Sequence, residues 1–174
     1  MKKKLIILSV TLIFIFISCG KSGSALKYNN QIIDIQSKVI TKIITLSNSL
    51  KSNNTELMQR RLAELQDQAT KSADELSQLP DFDGGTELYN AAMDLFEFYE
   101  NVCKNEFQEM VDILSRSQSG ITAADLSRLQ DLQKIIQSEE GVLDKKLLEA
   151  QQSFAKLHGF RIGQNKLQKK IDNM

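Results

Sequence analysis

The chain has no Trp, one Pro, one His, two Cys and eight Gly in 174 residues, and aromatics make up 6% of it. A single His excludes most His-based metal sites and leaves a His-centred catalytic triad without support. One Pro offers little to interrupt regular structure. Few aromatics and sparse Val argue against an all-β sandwich. There is no excess of either charge: 22 Lys plus Arg stand against 22 Asp plus Glu. A dedicated nucleic-acid binder would carry surplus cations, so no nucleic-acid partner is expected. No apolar run reaches the ~20 residues needed to cross ~30 Å of hydrocarbon. What is present is 41% hydrophobic residues, enough in a chain of this length for one domain with a real core.

The hydrophobic residues are unevenly spread. Leu5 to Ile17 is an apolar run broken only by Ser9 and Thr11, and it follows Lys2, Lys3 and Lys4. A basic start, a short apolar stretch and a small residue at its end describe a secretory signal peptide over residues 1–18. The run ends in Phe16-Ile17-Ser18-Cys19-Gly20, which resembles the lipobox of bacterial lipoproteins, with Phe16 where Leu is usual. That resemblance implies cleavage between Ser18 and Cys19 and attachment of diacylglycerol to the Cys19 thiol. It also implies frequent acylation of the new amino group. One myristoyl chain binds a membrane only marginally, whereas each further buried CH₂ adds about 0.8 kcal/mol, so two or three chains on Cys19 anchor essentially for good. Three of the 22 cations and none of the 22 anions leave with residues 1–18, so the remainder carries a net charge of −3.

Beyond Cys19 the pattern is helical. Residues 19–24 read as the lipidated Cys and a small polar tether, 25–158 as a helical bundle and 159–174 as a basic tail. A first segment, about Ala25 to Lys51, places Tyr28, Ile32, Ile35, Val39, Ile43, Leu46 and Leu50 at spacings of three or four. A second, Thr55 to Leu79, does the same with Met58, Leu62, Leu65, Ala69, Ser72 and Leu76, with Asn53 and Glu56 as an expected capping box. Lys71 and Glu75 are an expected i,i+4 pair on its solvated face. Pro80 ends it. A third segment, Thr86 to Ser117, carries Leu88, Ala92, Leu95, Tyr99, Val102, Met110 and Leu114. A fourth, Thr122 to Leu157, opens on Thr122 and Asp125 and carries Leu126, Leu129, Ile136, Leu143, Leu147, Ala150, Phe154 and Leu157. Gly141 inside it costs about 1 kcal/mol against Ala, which marks a place for a kink. Four long amphipathic helices on short loops must alternate direction. The expected fold is all-α: an up-down-up-down four-helix bundle behind a lipoprotein signal peptide. Only the stretch around Phe160 and Ile162 offers any strand-like alternation.

Catalytic and metal constellations were sought and not found. A di-iron bundle needs Glu-x-x-His on two helices, but the residue three before His158 is Ala155. Asp81, Asp83, Gly84 and Glu87 fail the EF-hand spacing, which needs Glu at position 12, where Ala92 stands. Cys103 falls beside Val102 on the apolar side of the third segment and reads as a buried thiol. His158 reads as a cation capping the end of the last helix or a solvated side chain. No phosphate-binding loop, dinucleotide fingerprint or nucleophile motif appears. No enzymatic activity, cofactor or metal is expected. Phe98 does not share a helix face with Phe96 and Tyr99, which marks it as an exposed ring on a candidate interaction surface for a protein partner. If the first helix rises from a membrane, the fourth descends to it. Lys156, Arg161, Lys166, Lys169 and Lys170 then form a candidate membrane-surface contact at ~1 kcal/mol each.

Over the whole mature length the chain resembles a family of uncharacterised bacterial surface lipoproteins first described from spirochaetes. The resemblance rests on Ser18-Cys19-Gly20, on Tyr28-Asn29 with Ile33-Asp34-Ile35-Gln36, on Leu95-Phe96-x-x-Tyr99 and on Phe154-Ala155-Lys156-x-His158. It implies location and helical content and no mechanism. The expected function is a lipid-anchored cell-envelope lipoprotein of a bacterium, in the outer membrane because Gly20 is not the Asp that retains enteric-type lipoproteins at the inner one. Its expected role is structural or protein-interacting. The alternative is a lipid-anchored carrier of a small apolar ligand. Sequence leaves the oligomeric state and the identity of any partner open.

Overall fold

The structure, a computed structural model, describes residues 13–16, 22–116 and 120–164, with side chains from 22 to 116 and 120 to 162. Among these the chain is all-α, with five helices and one small ribbon. The helices are α1 (Ser22–Ser49), α2 (Thr55–Ser77), α3 (Thr86–Lys104), α4 (Glu106–Leu114) and α5 (Ala123–His158). Strands β1 (Ile13–Phe16) and β2 (Arg161–Gln164) pair antiparallel, Ile15 opposite Ile162.

The apolar stripes become the core. Ile32, Val39, Ile43 and Leu46 of α1, Met58, Leu65 and Leu76 of α2, and Leu88, Leu95 and Tyr99 of α3 are all buried. Polar cross-links fix the helix directions. Lys38 and Lys42 of α1 pair with Glu75 and Glu64 of α2 at 2.6 and 3.0 Å. Thr70 of α2 donates to Glu100 of α3 at 2.8 Å, and Gln66 to the Cys103 carbonyl at 3.1 Å. Asp94 of α3 pairs with Lys146 of α5, and Tyr99 faces Glu140. In each pair of helices the partner numbers run in opposite senses, so these neighbours are antiparallel.

Several local expectations are corrected. The third segment is two helices, broken at Asn105. Continuing the α3 stripe through Val102 puts Glu106 at the next core position and Phe107 off it. The break turns Phe107 inward, to 2% exposed. The fourth segment is continuous through Gly141, where an added Cβ would meet nothing within 4 Å, so the residue faces open solvent and the buried face on the other side holds the helix. Asn54, one residue later than expected, caps α2, its Oδ1 accepting from the Leu57 N–H at 2.9 Å. The Thr122–Asp125 capping box forms as expected. Lys71 pairs with Asp67 at 2.7 Å, since Lys38 of the neighbouring helix takes up Glu75. Ser22, Gly23 and Ser24 belong to α1, leaving less free chain after Cys19 than the expected tether. Leu126 and Leu157, expected in the core, are 51% and 65% exposed. Leu126 lies in the first turn of α5, and apolar spacing along one helix does not bury a residue that no neighbour covers. Leu157 lies over the loop before α3. There Gly84 has φ 66°, and any Cβ on it would come within 2.3 Å of Leu157 Cδ2.

Candidate functional site

The expected Phe98 surface is not present. Phe98 is 9% exposed, its ring 5.8 Å from that of Tyr99. The physical reason is that α3 packs against α2, α4 and α5, so it buries much more than one stripe. Lys156 and Arg161 are exposed, as a surface contact requires. Ser18, Cys19, Lys166, Lys169 and Lys170 lie outside the described residues.

One end of the molecule is closed by rings. Phe82, Phe154 and His158 sit within 5.5 Å of one another, with Tyr28 of α1 and Phe160 against Phe154 at 6.0 and 5.9 Å. His158 is not a solvated cap here. Its Nε2 lies 3.0 Å from the Asp83 carbonyl. A carbonyl only accepts, so Nε2 carries the proton of this bond and ties the loop before α3 to the end of α5. Gly159 turns the chain with φ 71°, and the Phe160 N–H donates to the Ala155 carbonyl at 3.0 Å. Part of the expected basic tail is therefore docked structure. Two clefts flank this end. One of about 320 Å³ lies between Gly84–Leu88 and Ala150–Leu157, and one of about 410 Å³ is lined by Gln152, Ala155, Lys156, Phe160, Arg161 and Ile162.

The more unusual feature lies deeper. Asn29 and Gln36 of α1 and Glu140, Asp144 and Gln151 of α5 interrupt their apolar stripes and are 0–4% exposed. Tyr99 of α3, fully buried, points its hydroxyl at Glu140 Oε1, 3.5 Å away. Glu140 Oε2 and both amide atoms of Asn29 and of Gln36 have no hydrogen-bond partner. Gln36 faces the Tyr99 phenol. Burial, and then the negative charge of Asp144, hold the Glu140 carboxyl well above the usual carboxylate range. Burial likewise raises the Tyr99 phenol, with Glu140 and Asp144 adding to the effect. Polar groups left this way inside a core cost roughly 1–3 kcal/mol each, so the cluster is expensive for a purely structural layer. The sequence carried the signal: Glu140 and Asp144, four apart, fall among Ile136, Leu143 and Leu147. Neither belongs to a Glu-x-x-His motif.

Among the described residues no group of three or more His, Cys, Asp or Glu is placed to hold a metal, and no helix is long and apolar enough to cross a membrane. No protein family, curated protein or solved structure matches the chain.

Proposed function

We propose that the chain is the precursor of a non-enzymatic bacterial cell-envelope lipoprotein of the spirochaete surface type, with residues 1–18 removed and Cys19 acylated. The observation that carries this reading is the succession of Lys2–Lys4, the apolar run to Ile17 and Ser18-Cys19-Gly20, followed at Ser22 by α1. At no more than ~3.5 Å per residue, the three steps from Cys19 to Ser22 keep the start of α1 within roughly 10 Å of the lipid. On this reading an up-down-up-down bundle stands on the outer membrane, an arrangement favoured by the antiparallel cross-links of α1 with α2, α2 with α3 and α3 with α5. Cleavage removes β1 and frees the edge of β2. Its role is structural or protein-interacting.

The ring-closed end, which holds both Tyr28 near the start of α1 and His158 at the end of α5, then faces the bilayer. Exposed Lys156 and Arg161, followed by Lys166, Lys169 and Lys170, supply a second, electrostatic contact with anionic headgroups.

Fractionation of cells expressing the chain and Cys19→Ser tests the anchor. The wild type is expected in the detergent-extracted membrane fraction and the variant in the soluble fraction or uncleaved; the same cleaved, membrane-bound form from both would sink the reading. For the tail, non-acylated protein with and without residues 160–174 is bound to anionic vesicles, where equal binding removes the contact.

The second reading, a carrier of a small apolar ligand, has in its favour the 320 Å³ cleft with Leu88, Ala150, Phe154 and Leu157 in its walls. Native mass spectrometry of purified protein separates the two, since a carrier retains a ligand.

A further inference from the structure

We propose that Gln36, Tyr99, Glu140 and Asp144 form a binding site for one hard cation of calcium's size, held inside the helices between α1, α3 and α5. Tyr99 Oη and Glu140 Oε1 are 3.5 Å apart, beyond the 2.5–3.0 Å of a good O–H···O bond. Two oxygens bonded at roughly 2.4 Å to one ion, at right angles, lie about 3.4 Å apart, so the pair is spaced as neighbouring ligands of such an ion. A Mg²⁺ ion would draw them to about 2.9 Å and would keep several waters, for which a site only 0–4% exposed has little room.

The unpartnered atoms supply the rest of the shell. Glu140 Oε2 and Gln36 Oε1 are buried acceptors with no hydrogen-bond partner, and both belong to side chains that face the Tyr99 phenol. The donors are all oxygen, the set that suits hard cations, and no Cys or His is among them to favour zinc. Two carboxylates match the charge of a divalent ion, and the remaining oxygens are neutral. So few charged ligands place the affinity in the weak range, with half-saturation at roughly 0.1–1 mM. The site differs in place and composition from the loop at Asp81–Glu87.

The test uses the detergent-solubilised full chain, stripped with chelator and titrated with calcium chloride at pH 8, with choline chloride as the ionic-strength control. The expected result is a saturable rise in melting temperature, roughly 3–6 °C at tenfold the midpoint concentration. A parallel change in near-UV tyrosine dichroism is expected, readable because the chain has no Trp. Both responses are expected to vanish in Glu140→Gln and in Asp144→Asn, whose folding is checked by far-UV dichroism. A rise no larger than choline chloride gives, or an equal rise in either folded variant, overturns the proposal.

Discussion

Cys103 lies on α3 with no exposed surface, and burial, helped by Glu100 and only partly offset by Lys104, pushes its thiol up to about 12. A thiol that is both covered and protonated is a poor nucleophile. It is expected to resist an alkylating or disulfide reagent at pH 8 in the native protein and to react within minutes in denaturant, as thiol titration will record. Its burial was legible in its place beside Val102. Glu140 was legible only as a carboxylate spaced with Ile136, Leu143 and Leu147; the depth of its burial is set by three helices converging. Its folded-state pKa is raised above the ordinary 4.5. The protonated form is therefore the one the fold favours, and its contribution is complete below that ordinary value and is lost as pH rises toward the raised one. In chelated buffer the melting temperature is expected to decline from pH 5 to pH 8. Glu140→Gln, which keeps a neutral polar head, is expected to flatten that slope; an unchanged slope would mean that another group governs it. Phe98 shows the limit of reading a face from one helix: its angle relative to Tyr99 was read correctly, but the breadth of α3's buried surface depends on how many helices surround it.

At the scale of elements, α1 and α2 follow from their apolar periodicity alone, and their stripes are the buried ones. The third segment departed because its stripe slips by one residue after Val102, and a break at Asn105 costs less than burying Glu106 in place of Phe107. That slip is visible in the sequence once core positions are counted past Cys103. In α5 the Leu positions 126 and 157 misled, since an apolar residue at helical spacing is buried only where a neighbour reaches it. Gly141 was read as a weak point because glycine destabilises helices in isolation, yet tertiary packing of Ile136, Glu140 and Leu147 carries the helix through it. With open space where a Cβ would go, Gly141→Ala is expected to stabilise the protein by about 0.5–1 kcal/mol in chemical denaturation. Destabilisation would show that the glycine serves a strained or close-packed site after all.

For the molecule as a whole, the ends of the chain matter most. The same end of the helices that begins at Ser22 is closed by Tyr28, Phe82, Phe154 and His158, and the hydrogen bond from His158 to the Asp83 carbonyl locks the loop there to α5. An anchor at Cys19 would hold that end against the membrane and present the far end, with the loops after α1 and α4, to whatever lies beyond. The apolar residues of the leader were read as a discarded address, whereas Ile13–Phe16 forms a strand on β2 in the full chain. On the proposed cleavage after Ser18, that strand would leave with the leader. The measurement that bears most directly on the account is the mass of the N-terminal peptide from protein purified out of bacterial membranes. The account predicts a peptide that begins at Cys19 and carries a diacylglyceryl thioether. A peptide that begins at Met1, or one with an unmodified Cys19, would contradict it.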